Sequence, residues 1–578
     1  MRGASTPAPM RKPANIVFSV DEPPPRDVLI ASGLQHIGLL TTFLVYPVVI
    51  GGVANLDRSS VLHLVSMSLL ALGIATILQA QRRGPIGSGY LCPALCSSAY
   101  AVPSLLAVKV GGLALVGGMT VFAGAMEILF GRMQHRLRPY FPPEIGGLVV
   151  ILLAVNLGKL GTSLVLGVNA GGGAKPPWPH FAVAFMTLAM MVGLNVWARG
   201  RARMLCALIG MIFGYIGAQL AGLLKGSDVD QVLAAPLLAL PLGNHAGWTF
   251  DPTLAVPFAV AALAAGFNVI GVVTTSQRIN DAGWEHPDMR NIGRGIMADG
   301  TGSIVAGLLG TVGIGVSSGA VGLAAATGVT SRAVAYAVGA MFIALAFLPK
   351  AAAVIAAMPH AVMGAVLMFS AAFVLLNGIQ IIASRLLDAR RTFVVGLSFA
   401  LGLTADFFHA SYAGLPAAIA PLASSSLVLG LLCALLLNLV FRVGVWNIGK
   451  LRVEPGHVDS HRLTEFIEAT GASWGARRDM IERVRFNVAQ SVETIAGTAA
   501  ARGPIDIEAA FDGYRIDVRI AFDGPPLELP QTRPSEQEIL ESADGMNRLA
   551  GYLLRRLADR VRSAHRGGRT VLEFQFDH

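Results

Sequence analysis

Between residues 28 and 441 the chain is a succession of apolar runs, each roughly twenty residues long, separated by short connections that hold most of that region's charge. A helix of about 20 apolar residues crosses the hydrocarbon of a bilayer, and helices or closed barrels alone satisfy their backbone there. The pattern therefore restricts this region to a polytopic helical membrane protein. From about residue 447 Arg, Asp and Glu return to the density of a soluble surface, so a second, aqueous domain follows. Only 14% of the 578 residues are charged. Soluble globular proteins carry about 25%, and water alone cannot be the solvent of this chain.

The formal charge of +9 raises nucleic acid as a partner. Basic residues of membrane proteins concentrate in cytoplasmic loops, however, and no nucleic acid is expected. Residues 1–27 mix Pro with charges of both signs and have no apolar core before Val28, unlike a cleaved secretory signal. They read as a disordered cytoplasmic tail. Cys92, Cys96, Cys206 and Cys433 all fall in apolar runs, where neither a disulfide framework nor a metal site is expected. Cys92 and Cys96, four apart, read as neighbours on one helix face that pack as small apolar groups.

Fourteen candidate spans lie near 28–50, 60–80, 88–107, 112–131, 143–161, 180–198, 202–223, 254–275, 292–310, 314–330, 332–349, 351–380, 392–408 and 413–441. The even-numbered connections carry Arg82 and Arg83; Arg132, Arg136 and Arg138; Arg199, Arg201 and Arg203; Arg278, Arg290 and Arg294; Arg332; and Arg385, Arg390 and Arg391. The odd ones carry isolated charges such as Arg58, Lys175 and Lys225. The positive-inside rule then places both termini in the cytoplasm. Two spans are irregular. The third, from Gly84-Pro85-Ile86-Gly87-Ser88-Gly89-Tyr90 through Pro93 to Ser97-Ser98-Ala99-Tyr100, is interrupted by Gly, Pro and Ser, and so is the tenth, 310–328. They hold matching places in a seven-plus-seven division. Unwound backbone is tolerated in a bilayer only where it lines a cavity, so the two mark a transporter's substrate site. Glycines that simply let helices pack closely are the alternative.

Gln35-His36 in the first span, Gly87-Ser88-Gly89 in the third, Asp299-Gly300 opening the ninth and Met358-Pro359-x-x-Val362-Met363-Gly364 leading into the twelfth resemble the nucleobase-ascorbate transporters, the xanthine/uracil permease family. The resemblance covers about residues 26–441. It implies an all-α polytopic protein of fourteen spans in two inverted seven-span repeats. A core domain would hold substrate between half-helices of spans three and ten, and a gate domain would commonly dimerise. It further implies secondary active import of a purine or pyrimidine with a proton or sodium, in a bacterial-type inner membrane.

Aligning on Ile270-Gly271 and Thr274-Thr275 puts Asn268 where the family offers a glutamate that hydrogen-bonds the base. Val272 stands where the family has an acid or histidine tied to proton coupling. The tenth-span signature begins in the family with Gln, Glu or Pro, then Asn. Here Gly319-Ala320-Val321-Gly322 runs on to Thr327-Gly328, which keeps the glycine and threonine frame without the polar pair. Each nucleobase edge group buried unpaired costs about 1–3 kcal/mol. Recognition then falls to Asn268, with Ser97, Ser98, Ala99 and Tyr100 of span three and Ser317, Ser318, Gly319 and Ala320 of span ten. Gln35, His36, Val272, Asp299, Gly322 and Thr327 form the set that shapes the site or couples it. His36 would hydrogen-bond within the site or be satisfied locally, and Gln35 would organise packing. Asp299 is an intramembrane acid and so a functional candidate, or else a cap on the ninth helix. With the carboxylates gone, the positive ends of two half-helices would favour an anion such as urate or a small carboxylate, as in related folds of the sulfate permease family.

After a linker at 442–455, residues 456–578 take an α/β order. A helical stretch at 463–495 precedes strands at 505–511 and 514–521 around Asp512-Gly513, a helix at 545–562 and a strand at 570–576. Phe522-Asp523-Gly524-Pro525-Pro526, and Leu554-Arg555-Arg556-Leu557-Ala558-Asp559 through Gly567-Gly568-Arg569-Thr570, resemble the ATPase domain of histidine kinases and anti-sigma factors. The magnesium-holding pair that this resemblance implies aligns near Ala489 and Glu493. The adenine-reading aspartate aligns with Phe522, and the glycine-rich lid shrinks to Gly545 and Gly551. The tail therefore reads as a degenerate regulatory or interaction domain for a cytoplasmic protein, without ATP as cofactor. A permease is the expected function and a membrane sensor signalling through the tail the alternative. Nothing in the sequence pairs a nucleophile with a base, and no enzyme is expected.

Overall fold

The computed structural model describes residues 11–137, 142–167, 178–199, 201–224, 226–241, 245–284, 287–383, 387, 389–412, 414, 423, 425–441, 447–454, 460–474, 476, 478–497, 503–511, 515–525, 529–530, 532–535, 538–539, 545–566 and 568–577. They fall in two compact units, Met1–Ile382 with Ser398–Cys433, and Ala383–Leu397 with Ala434–His578.

The chain opens with α1 (Arg26–Leu40), which passes through a tight turn into α2 (Val45–Val53), and α3 (Arg58–Ala80) comes next, capped by Asp57. A short strand, β1 (Ala94–Cys96), leads into α4 (Ala101–Leu137). Inside α4, Gly111 and Gly112 leave the helical conformation, and Gly112 sits at φ +67°, where a side chain would be strained. A half-helix at 101–110 thus turns into a separate helix at 113–137. Next come α5 (Pro143–Val165), α6 (Trp178–Trp197), α7 (Arg201–Met204), α8 (Cys206–Leu220), α9 (Gly226–Ala234), α10 (Ala255–Asn280) and α11 (Met289–Leu308). The second strand, β2 (Ile314–Val316), leads into α12 (Ser318–Thr327). The helices α13 (Arg332–Ala346), α14 (Pro349–Ala356), α15 (His360–Ala383), α16 (Ala389–Phe407), α17 (His409–Tyr412) and α18 (Ser426–Val440) complete the apolar region.

Seven helical stretches among the described residues are long and apolar enough to cross a membrane, or eight if the bent α13–α14 pair counts as one. Shorter apolar helices, among them α12, accompany them. In α6, 20 residues rise about 30 Å, and exposed Trp178 and Trp197 stand at its two ends as in an interfacial aromatic belt. Both interrupted spans are broken as expected. The boundaries expected at 332–349 and 351–380 lie elsewhere: α14 turns 86° away from α13, and Pro359 separates it from α15. Proline cannot continue a helix, so Pro349 and Pro359 override the hydropathy profile.

Helices in this unit meet through glycine. Gly117, Gly124 and Gly131 of α4 face Gly307, Gly300 and Gly293 of α11, and a Cβ on Gly124 would stand 2.5 Å from the Gly300 carbonyl oxygen. Gly73 and Gly339 join α3 to α13 in the same way, and Gly147 with Gly378 and Gly161 with Gly364 join α5 to α15. Between helices in lipid, close backbone packing replaces the missing hydrophobic drive.

Residues 11–25, read from sequence as disordered tail, are ordered. Val17 and Phe18 N–H donate to the Gly328 carbonyl (2.8 and 3.0 Å), and Thr330 N–H donates back to Phe18 (2.9 Å). Asp21 pairs with Arg82 (3.2 Å) and Arg332 (3.0 Å), so the charges that looked like solvent-facing tail find partners. Lys12 hydrogen-bonds Glu22 and holds its carboxyl below the usual range.

The second unit contains β3 (Asn447–Val453), α19 (Ser460–Ser473), α20 (Arg478–Gly497), β4 (Ile505–Phe511), β5 (Arg515–Asp523), α21 (Gly545–Leu557), β6 (Arg560–Arg566) and β7 (Arg569–Asp577). The strands form one antiparallel sheet in the order β3-β4-β5-β7-β6. Alternate residues Ile505, Ile507, Ala509 and Phe511, then Ile516, Val518, Ile520 and Phe522, join one apolar core with Val484, Val488 and Val492 of α20. Three expectations change. The supposed linker contributes β3 as an edge strand. The helical stretch is two helices separated at Trp474, whose ring stacks on Phe511 at 5.7 Å. The helix expected to reach 562 ends at Leu557, because Arg560, Arg562 and Ser563 enter the ladder with Gln575, Glu573 and Leu572. Asp512-Gly513 and Tyr514 lie outside the described residues.

Candidate functional site

The two broken spans meet strand to strand. β1 pairs antiparallel with β2, with Ala94 opposite Val316, Leu95 opposite Gly315 and Cys96 opposite Ile314. Reciprocal bonds extend the crossing: Ser97 N–H donates to Gly313 O (3.1 Å) and Ser317 N–H to Pro93 O (2.9 Å). A helix on each side supports one strand. Thr76 Oγ1 of α3 accepts from Ala94 N–H (3.0 Å), and Ser303 Oγ of α11 donates to Ile314 O (3.1 Å). Each strand then ends in a serine that caps the helix it leads into. Ser97 Oγ accepts from Ala99 N–H (3.3 Å), and Ser317 Oγ accepts from Ala320 N–H (3.1 Å). A serine in this role satisfies one of the donors that every helix start leaves open.

Around this crossing the fold gathers Ser97, Ser98, Ala99, Ser317, Ser318, Gly319, Ala320, Asn268 and His36. Asn268 on α10 donates its Nδ2 to the Val316 carbonyl (2.8 Å), which anchors the amide to the end of β2. His36 on α1, one residue beyond half-buried Gln35, is buried; its Nδ1 bonds Ser32 O (2.8 Å). Its Nε2 lies beside the Ala320 backbone without a well-formed hydrogen bond. On α12, Ala320, Val321, Leu323 and Ala324 are buried, while Gly319 and Gly322 are exposed, and a Cβ on Gly322 would meet nothing within 4 Å. The glycines keep that face of the half-helix open.

Four expected residues stand elsewhere. Tyr100 turns away from the crossing: its ring lies on Gly313, and its hydroxyl donates to Glu127 Oε2 (3.4 Å). Val272 is buried in an apolar cluster with Cys92, Phe130 and Phe267. Thr327 bonds the carbonyls of Leu323 and Ala324 in its own helix, near the left-handed Gly328 that ends it. Asp299 neither opens nor caps a helix. It sits in the middle of α11, which Asp288 caps instead, and its buried carboxyl lies behind β2. Cys92 and Cys96 share no helix face either, because Pro93 and the strand pairing hold this segment extended.

Sequence reasoning passed over Glu127, Thr76, Ser303 and the buried Tyr46, which lies beside Ser98. Glu127 alone carried a usable signal, as an acid within an apolar run. The others are common polar residues in helices, and only the crossing gives them a role.

A family model described as Permease family, that of the xanthine/uracil permeases, matches residues 28–411. A Clostridium perfringens (strain 13 / Type A) chain, provisionally named a purine permease, is 30% identical over 429 residues, covering 74% of this chain and 93% of its own length. The uric acid permease PucJ of Bacillus subtilis (strain 168) is 28% identical over 419 residues, 71% of this chain and 91% of that one. The xanthine permease XanP of Escherichia coli (strain K12) is 25% identical over 448 residues, 74% and 95% of the two chains. Among solved structures, that of SLC26A9 aligns over 74% of this chain and 67% of that one with a TM-score of 0.48 and 11% identity. With a family match over most of its length and its two broken spans crossing as paired strands, this chain belongs to the xanthine/uracil permease family, as a multi-pass membrane protein.

Proposed function

We propose that the chain is a secondary transporter that carries a purine such as xanthine or urate across a bacterial inner membrane by alternating access, without chemistry on the solute. The observation that carries this reading is the crossing itself, where two serine-capped half-helices start beside an anchored amide. An oxidised purine presents carbonyl oxygens and ring N–H groups on adjacent edges. The N–H groups of Ser318 and Gly319, in the first turn of α12, would meet the carbonyls, since a helix start leaves such donors open. Asn268 Oδ1, on the amide whose Nδ2 is already committed to Val316, would accept from a ring N–H. Gly319 and Gly322 leave room for the ring.

The glycine contacts support a seven-plus-seven inverted repeat. The pair α3 and α13, the second and eleventh spans, becomes the ninth and fourth under a shift of seven, and these are α11 and α4. For orientation, the N-terminal segment joins Arg82 and Arg332 through Asp21, and Arg294 bonds the Arg82 carbonyl. The N-terminus thus lies with the arginine-bearing connections, which favours the cytoplasmic side. A homodimer through the gate half and a protein partner for the tail belong to the same proposal.

The test is thermal stabilisation of the purified full-length protein by xanthine, urate, uracil, adenine, ascorbate and small anions, repeated with Asn268→Ala. A shift with one purine that disappears in the variant is expected. A shift with a small anion alone would move the site to a different substrate class.

A further inference from the structure

Behind the crossing, Glu127 of α4 and Asp299 of α11 face each other across the glycine contact of their helices. Gly124 and Gly300 bring the two backbones together, and the acids sit three residues after the first and one before the second. Both are buried, at 0% and 3% exposure. Their carboxyls lie within hydrogen-bonding reach of each other. As carboxylates neither can donate, so Glu127 Oε1 and Asp299 Oδ2 are left without a partner. The other titratable groups around them are the Tyr100 hydroxyl, 3.4 Å from Glu127 Oε2, and the thiol of Cys92. Ser303 also reaches Tyr100. Among the described residues no lysine, arginine or histidine neutralises the pair.

Two unpaired buried negative charges in contact are strongly unfavourable, whereas one proton turns them into a single charge-assisted hydrogen bond. The pair is also well placed to sense the crossing. Asp299 Oδ2 lies 3.7 Å from the point where a Cβ of Gly315 would stand, and Ser97 Oγ is 3.2 Å from the same point. Displacement of β2 or of the Ser97 cap would alter the contact between the acids.

We infer that Glu127 and Asp299 share one exchangeable proton and that this proton is the ion moved with the substrate. The inference rests on the transport reading for its second half alone. A water-borne proton adds to a carboxylate oxygen on one side of the membrane and is released to water on the other, and no other bond forms or breaks.

Two measurements on the full-length protein test it. In sodium-free proteoliposomes, labelled xanthine and urate are followed by counterflow and by uptake under an inward proton gradient. The wild type is expected to respond to the gradient. Glu127→Gln is expected to lose that response while still exchanging substrate, and an unchanged gradient response in it overturns the proposal. In parallel vesicles given an inward sodium gradient at equal pH on both sides, uptake that follows sodium, with no response to the proton gradient in the sodium-free set, overturns it as well. Independently of transport, infrared spectra should show the C=O band of a protonated carboxyl in the wild type that is missing from Glu127→Gln/Asp299→Asn; a wild type without that band overturns the shared proton even if the variants do not fold. Absence of counterflow for either purine, with the band present, would count against the transport reading and leave the shared proton standing.

Discussion

The arm that carries β1 and the arm that carries β2 have one backbone plan, in which a three-residue strand ends in a capping serine and continues as a half-helix. They diverge in the residues just past the cap. After Ser97 comes Tyr100, fully buried against Gly313 and bonded to Glu127, so this arm is tied to the helices behind it. After Ser317 come Gly319 and Gly322, which leave one face of α12 uncovered. The same device serves as an anchored wall on one side and an open wall on the other. Two copies of one motif therefore need not share a role, because the side chains placed after the cap decide which face has room for a solute.

The comparison breaks most visibly at Gly313. A Cβ there would lie 2.3 Å from the Tyr100 ring, which has no space to retreat, and overpacking of this kind costs about 1–3 kcal/mol or more. Gly313→Val is expected to abolish the monodisperse peak in detergent size-exclusion chromatography. Next in size, Asn268→Ala should weaken purine binding about tenfold or more, as loss of one buried hydrogen-bond partner costs about 1–3 kcal/mol. Isothermal titration reads this directly, and unchanged affinity would remove Asn268 from the site. Removing the caps sharpens the contrast. Ser97→Ala and Ser317→Ala should each cost about 1 kcal/mol in thermal unfolding, with Ser317 the larger because its bond is shorter and more buried. The smallest effect is expected at Gly322→Ala, within about 0.5 kcal/mol of wild-type stability, since its Cβ meets nothing within 4 Å. Its consequence should appear in substrate KM; a loss of folding as large as that of Gly313→Val would mean that the arms are not different after all.

Much of the membrane architecture was legible because lipid imposes a simple rule on sequence. The interrupted spans declared themselves through Gly84 to Pro93 and through 310–328, and both are broken. The strand pairing of Ala94–Cys96 with Ile314–Val316 was not legible, since three-residue strands carry no periodicity and their partners lie more than two hundred residues apart. Pairing also redirected residues: Tyr100 adjoins serines that do face the crossing, yet its ring is taken by Gly313. Asp299 was recognised as an intramembrane acid and misplaced as a helix start, because Gly300-Thr301-Gly302 resembles a cap when in fact Gly300 meets α4 and Gly302 meets Ala75 of α3 and Ile314 of β2. In the tail, alternation exposed β4, β5 and β7, whereas β3 and β6 escaped, their exposed Lys and Arg side chains hiding an edge strand's alternation.

By itself the sequence determined the solvent of each region, the number of polar interruptions and the chemistry available, since these follow from local hydropathy and residue type. The tertiary structure alone decided which interruptions pair, which half-helix stays open, and that Glu127 meets Asp299. Those outcomes depend on backbones approaching through glycine across distant parts of the chain, a geometry that no single segment encodes.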